Sequence, residues 1–495
     1  MKYVIAVIAV LSFLFFYEKF EDIKSYNEVI SGTNLMATVN YLASPELSGR
    51  LAGSTGYFEA AGFAAERFKN AGLLSLTGED YFQKFNIEYN EIKGTPKLSL
   101  TKNGEKLKDY TIGEDFICRG FTGSGELSAE VVFAGYGISM PELGYDDYNG
   151  IDVRDKIVLV FKYNPKWKMQ GGDWKDGYPR EKSRIAREHG AIGILFVSLP
   201  NDKTPQEPIA SVLAGSGEQD VNFPQLHVDL PVAGDLFENS GKTLKELQTG
   251  IDSSKAPQSL SLKRGVSLSV KADYEKEHPT VNVVALHEGK HPELKNEYIV
   301  IGAHLDHVGR QGPVYFPGAN DNASGSAAII ELAETFAKNK ISTDRSIIFA
   351  LFSSEESGLY GAKHFVENPP VPLEKIIAMF NMDCIAHGDS IRIGGGKTAP
   401  MMWNLAKEND KLYTRMMMNA TWGGGGADAE PFFDKSIPTL YFVSSNSYTH
   451  LHKKTDTPST LNPELFEKLT RVAFLTLCDV TSGEFSKEII VRDSK

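Results

Sequence analysis

From Thr33 to Gly72 apolar residues recur every three or four positions, a helical pattern broken by one turn at Ser48-Gly-Arg-Leu-Ala-Gly53. In the helix after that turn Phe58, Ala61, Ala65 and Phe68 share a face, and Gly72 is placed to end it. Short alternating stretches between Leu98 and Ile117, such as Lys97 to Thr101, predict strands. Residues 121–270 form a region of their own. There Glu130 to Ile138 reads as strand and turn, and Lys156 to Phe161 as a buried, β-branched strand. Pro179 to His189 reads as a helix and Gly193 to Val197 as the next strand; Thr204 to Gly217 and Gly250 to Pro257 read as loops. From Pro279 onward strands and helices alternate. The strands are Tyr298 to His304, Ser346 to Phe352, Ile376 to Asn381 and Thr439 to Val443. The helices are Ala323 to Asn339, which Asn322 or Ser324 can cap, Leu359 to Glu367 and Pro463 to Cys478. This alternation predicts an α/β domain with a mainly parallel, mixed sheet covered by helices on both faces.

A chain of 495 residues is too long for one ordinary core and implies two or three domains. With 41% hydrophobic and 23% charged residues it is neither disordered nor collagen-like. A net charge of -12 excludes a general nucleic-acid binder, which needs a basic face. At the N-terminus an apolar run from Val4 to Phe16 follows Met1-Lys2. It is shorter than the ~20 residues of a spanning helix and suits the hydrophobic part of an export signal. No small-residue cleavage site follows, so residues 1–17 read either as a cleaved signal or as a retained membrane anchor. Export to a periplasmic or extracellular location is the expectation. The three cysteines, Cys118, Cys384 and Cys478, have the spacing of neither a zinc ribbon nor a disulfide framework.

Ligands in open α/β sheets bind beyond the carboxyl ends of the strands, so the residues just past each predicted strand are the candidates for chemistry. These are His304-Leu-Asp306-His307, Gly318-Ala-Asn-Asp321-Asn-Ala-Ser-Gly325, Ser353-Ser-Glu355-Glu356, Asn381-Met-Asp383, and Tyr448-Thr-His-Leu-His452 with Asp456 four residues later. Singly each is ordinary: an Asp in a turn, a solvated Glu pair, a structural His. Together they converge on one sheet edge, where unpaired buried carboxylates require a cation. His and carboxylate donors without cysteine suit zinc, with cobalt or manganese as substitutes. Four Asp/Glu and two His exceed a single four-coordinate site and fit two ions ~3.5–4 Å apart bridged by a carboxylate. Gly394-Gly-Gly-Lys397-Thr398 fails as a phosphate loop because its first glycine would fall at Ile391.

In combination His-x-Asp, Gly-Ala-x-Asp-Asn-Ala-Ser-Gly, Glu-Glu-x-Gly-Leu-x-Gly, Asn-Met-Asp and a late His resemble metallopeptidase family 28, over most of residues 279–480. Leu42 to Gly53 resembles the N-terminal part of these enzymes. Gly135-Tyr-Gly-Ile138, Tyr145-Asp-Asp-Tyr148 and Asp152 to Val160 resemble the protease-associated domain, smaller and mostly β, inserted in many of them. The resemblance implies a zinc-exopeptidase fold divided as 18–120, an inserted 121–270, and a catalytic 271–495. It implies two zinc ions bridged by Asp321, with His304 and Asp383 completing one site and Glu356 and His452 the other. Glu355 would be the general base, and Asp306 would orient His304. Asp428 matches a motif lining the site, although Ala427 and Ala429 flank it where relatives have Ser and His. His452 rather than His450 has the family spacing to Asp456. The implied activity is removal of N-terminal residues from peptides. Carboxypeptidase or dipeptidase action is the alternative, since the metal motifs do not fix direction. A single-zinc cyclase and a metal-free binding protein are disfavoured by the complete ligand set. Asp146 and Asp147 read as turn residues.

Overall fold

The computed structural model describes residues 27–78, 80–169, 174, 179–212 and 218–490; the apolar segment 1–17 lies outside them. Helices Gly32–Leu42 (α1) and Thr55–Ala71 (α2) come first, capped by the side-chain oxygens of Ser31 and Ser54. Helix α2 ends at Gly72, which takes the left-handed conformation with φ 87°. The chain then enters a continuous sheet. Its first strands are Phe82–Lys102 (β1), Glu105–Tyr110 (β2), Phe116–Cys118 (β3), Gly125–Phe133 (β4), Ile157–Phe161 (β5), Gly193–Val197 (β6) and Gln225–Val228 (β7). The 28-residue strand Leu260–His287 (β8) leads to Tyr298–His304 (β9), Ser346–Phe352 (β10), Ile376–Met382 (β11), Ile391–Gly394 (β12) and Thr439–Ser444 (β13).

The strand order is β12-β13-β11-β9-β10-β8-β4-β5-β6-β7-β3. In one half β10, β9, β11 and β13 run parallel, with β12 and the end of β8 antiparallel at the sides. In the other half β4 to β7 run parallel and β3 closes the edge antiparallel. Strand β8 belongs to both: residues 283–287 pair with β10 and residues 260–270 with β4, while β1 lies against its middle. The second half also draws in β2 and β3, which precede residue 121 in the chain.

Side-chain alternation explains how each half is covered. Ile299, Ile301 and Ala303 face a core shared with α1, α2, Gly325–Lys338 (α6), Pro400–Tyr413 (α8) and Pro463–Thr481 (α10). Val300, Ile348, Ala350 and Phe352 face the opposite core, against Tyr360–Glu367 (α7) and Ala429–Asp434 (α9). Each such buried side chain contributes ~1.5–3 kcal/mol. The second half repeats the plan. Pro179–Glu188 (α3) covers Val158, Ile194 and Phe196, while Leu230–Phe237 (α4) and Leu244–Ser254 (α5) cover Leu159 and Leu195. Helix α5 runs through part of the stretch read as a Gly250–Pro257 loop. Its capping box, Thr243 with Glu246, and the buried face of Leu244, Leu247 and Ile251 outweigh Gly250. Asp147 does hold a turn: Oδ2 accepts from the Tyr136 and Ile138 amides, and Oδ1 from the Tyr145 hydroxyl.

Candidate active site

The loops after β9, β10, β11 and β13 and the segment before α6 meet at one edge of the first half-sheet, with Asp321 at their centre. Its Oδ1 lies 3.3 Å from His304 Nε2 and its Oδ2 3.3 Å from His452 Nε2. His304 Nε2 is also 3.5 Å from Asp383 Oδ1, and His452 Nε2 is 2.9 Å from Glu356 Oε2. Asp321 therefore faces two separate pairs, His304 with Asp383 and His452 with Glu356. All these side chains are at most one-tenth exposed except that of His452, at 20%.

Both imidazoles have a fixed orientation. His304 Nδ1 donates to the Asp306 carbonyl at 3.1 Å, and His452 Nδ1 to the Ala210 carbonyl at 3.2 Å, which turns each Nε2 toward the carboxylates. The Asp306 carboxylate is 3.9 Å from His304 and works elsewhere, accepting from the backbone amides of Glu355 and Glu356. It thus pins the turn that carries both glutamates. His450 points away and bonds to Thr455.

Residues outside the predicted set hold the loops. The fully buried Arg50 guanidinium donates to the carbonyls of Leu42, Leu305, Pro317 and Gly318, tying the end of α1 to the loops on either side of the site. Asp456 accepts from the amides of Asn320 and Asp321. Asn322 bonds the Met382 carbonyl and the Gly325 amide, which fixes the start of α6 against the end of β11. His307 Nδ1 contacts Glu356 Oε1 at 2.8 Å, and the Tyr441 hydroxyl donates to Asp383 Oδ2 at 2.6 Å. Adjacency to His304 and Asp306 marked His307 in the sequence; nothing local marked Arg50, Tyr441 or Ala210.

The electrostatics follow from crowding carboxylates into a buried space. Burial pulls His304 and His452 down, but Glu355 and Asp383 around the first and Glu356 around the second, with Asp321 between, hold both well above the ordinary imidazole value. Burial works to raise Asp321 and Glu356, yet the histidines hold Asp321 well below the carboxylate range and Glu356 at about 2. Burial drives Glu355 well above its usual value against the attraction of His304, assisted by Asp428 and Glu356. Burial likewise raises Asp306 and Asp456 to about 6 and Asp428 well above its usual range. Asp383 Oδ1, His307 Nε2 and both oxygens of Asp428 are buried without a hydrogen-bond partner. Donor atoms of His304, Asp321 and Glu356 form one tight group, and those of Asp321, Asp383 and Cys384 a second that shares Asp321. Buried oxygen and imidazole donors with unpaired acceptors and surplus negative charge fit divalent cations.

Residues 282–477 match the model of Peptidase family M28. The chain is similar to the "Probable lipoprotein aminopeptidase LpqL" of Mycobacterium tuberculosis, 25% identical over 338 residues, covering 68% of this chain and 55% of the relative. The chain thus spans about half the length of that protein. Its fold is that of a solved Peptidase M28 precursor from Shewanella amazonensis, with TM-score 0.68 and 19% identity over 96% of this chain and 99% of the other. It is shared too by a solved zinc aminopeptidase from Bacillus subtilis, with TM-score 0.64 and 18% identity over 94% and 99%. The match to Peptidase family M28 thus lies on residues 282–477, and the chain shares the fold of the solved M28 precursor along nearly its whole length.

Proposed function

We propose that this protein is an exported zinc exopeptidase that removes N-terminal residues from peptides. The observation that carries the reading is Asp321, with one oxygen toward the His304/Asp383 pair and the other toward His452/Glu356. His304, Asp321 and Asp383 would hold one zinc ion, and Asp321, Glu356 and His452 a second. When bound, two such ions acidify a water and polarise the scissile carbonyl. Glu355 takes a proton from the attacking water and returns it to the leaving amine. Asp306 keeps Glu355 and Glu356 in place through their backbone amides, and the Asp306 and Ala210 carbonyls keep His304 and His452 turned inward. No Ser or Cys nucleophile is required.

In domain terms, 18–120 and 271–495 build the peptidase unit and 121–270 forms a protease-associated insert that narrows access. Ala210 supports that role, because its amide also donates to the His452 carbonyl. Export rests on the apolar run after Lys2; among the described residues no helix is long and apolar enough to cross a membrane.

The test is mass-spectrometric digestion of free and N-acetylated peptides, with zinc and with chelator. Shortening from the free N-terminus, blocked by acetylation and by chelation, is expected. Loss of C-terminal residues, or cleavage of dipeptides alone, would move the function to a carboxypeptidase or dipeptidase with the same metal chemistry.

A further inference from the structure

The second half of the sheet buries three basic side chains together, and none of them has a counter-ion among the described residues. Arg119 follows β3 directly, Lys162 follows β5, and His227 lies in β7, all at most 6% exposed. Arg119 Nε and Nη1 have no partner, and its guanidinium stands 5.4 Å from the centre of the Phe121 ring. Lys162 donates to Gln206 Oε1. Among the described residues His227 meets Ser198 Oγ, 3.3 Å from Nε2, and its Nδ1 has no hydrogen-bond partner. Among the described residues no carboxylate forms an ion pair with any of them. Burial lowers all three, Arg119 to about 10 and Lys162 to about 6, and repulsion from Arg119 adds to the lowering of Lys162 and His227. Burying basic groups beside one another with unused donors is unfavourable unless an anion joins them.

The place of the cluster suggests which anion. The segment 206–212 touches it at both ends: Gln206 meets Lys162 and Ser198, and Ser211 Oγ accepts from the Gly120 amide beside Arg119. Between these contacts, Ala210 makes its two hydrogen bonds to His452. Cys118, the residue before Arg119, is clamped by Gln311 of the peptidase half through both backbone groups. The cluster therefore lies at the seam between insert and peptidase, one loop away from the proposed zinc ligand His452.

We infer that Arg119, Lys162 and His227 form a subsite for a carboxylate of the bound peptide, either the free C-terminus of a short peptide or an acidic side chain. The inference deepens the exopeptidase reading and names its substrates as short or acidic peptides. A charge-assisted hydrogen bond in such a site is worth roughly 10- to 100-fold in selectivity.

The experiment compares kcat/KM for Leu-Gly-Gly and its C-terminal amide, and for Leu-Glu-amide and Leu-Gln-amide. Preference for the free acid in the first pair identifies the C-terminus; preference for Glu in the second identifies the side chain. Arg119→Met and Lys162→Met are expected to remove that preference by lowering only the favoured substrate, with an unchanged or higher Tm, since each deletes a buried basic group that no carboxylate of the described residues pairs. Equal hydrolysis within both pairs, or variants that slow both members alike, would overturn the subsite. Calorimetric binding of the same peptides to Glu355→Gln protein reads the subsite without turnover. Absence of cleavage with acid-selective binding would therefore count against the exopeptidase reading alone.

Discussion

Glu355 and Arg50 show two ways in which one residue can govern this site. Glu355 is buried beside Asp428 and Glu356, and this burial raises its proton affinity although His304 opposes it. Glu355→Gln keeps the shape and removes the proposed base. It should reduce turnover by at least ~100-fold, the low end of general-base contributions, with zinc content by metal analysis unchanged. Full activity in this variant would rule out the assignment. Arg50 acts at a distance through four backbone carbonyls. A lysine keeps the charge but cannot span them, leaving buried acceptors that cost ~1–3 kcal/mol each. Arg50→Lys should therefore lose ~2 kcal/mol or more in urea unfolding, and bind zinc more weakly because the loops after β9 and before α6 share that anchor. An unaltered unfolding midpoint would mean that the carbonyls find other donors.

At the scale of elements, the site depends on how closely the start of α6 approaches the end of β11. Gly325 has an ordinary helical φ of -61°, so backbone freedom is not the reason for glycine there. A Cβ at this position would lie 2.2 Å from the Met382 carbonyl oxygen and 2.5 Å from Asn322 Oδ1. Gly325→Ala should push α6 from the strand and separate Asp321 from Asp383. The expected result is at least a tenfold loss of zinc affinity in competition with a chromogenic chelator, although alanine is the better helix former. Affinity equal to the parent would show that the contact is dispensable. The long strands β1 and β8 act at the same scale. By running through both halves they fix the insert against the peptidase sheet, and so place Ala210 on His452.

Over the whole molecule the site ties stability to pH and metal. Asp306 and Asp456 have folded values of about 6, and His304 and His452 are held well above theirs by neighbouring carboxylates although burial opposes it. These groups bind protons more tightly folded than unfolded, so their contribution is full in acid and lost as pH rises through the folded values. Asp321 and Glu356, held low by the histidines against the effect of burial, contribute above ~pH 4 and lose that contribution in stronger acid. Chelated protein should thus be most stable in mildly acid solution and lose Tm between ~pH 5 and 8. Zinc should restore it most at the alkaline end, where the ligands are deprotonated. Calorimetric scans with chelator and with zinc across that range test this; a chelated Tm that climbs with pH would contradict it.

The periodicity of the chain was enough to locate the strands of the peptidase half and their helices. Tyr298–His304 and Ser346–Phe352 are continuous apolar runs whose bounds need only local physics, because a strand buried on both faces must be apolar throughout. Spacing also marked His304, Asp306, Asp321, Glu355, Glu356, Asp383 and His452, since loops at the carboxyl edge must converge once the strands are parallel. The long strands were not legible. Phe82–Lys102 and Leu260–His287 mix exposed and buried residues as they pass from one half to the other, so only fragments alternate. Nor could the sequence reveal that the Asp306 carboxylate serves the glutamate backbone rather than His304, that Arg50 binds carbonyls from three segments, or that an insert carbonyl orients His452. Local pattern determines which residues are apolar, which are chemical donors and where the chain must turn. Which donor meets which acceptor, and which buried charges remain unpaired, is decided by segments hundreds of residues apart, because desolvation and hydrogen bonding depend on what packs around a group and not on its neighbours in the chain.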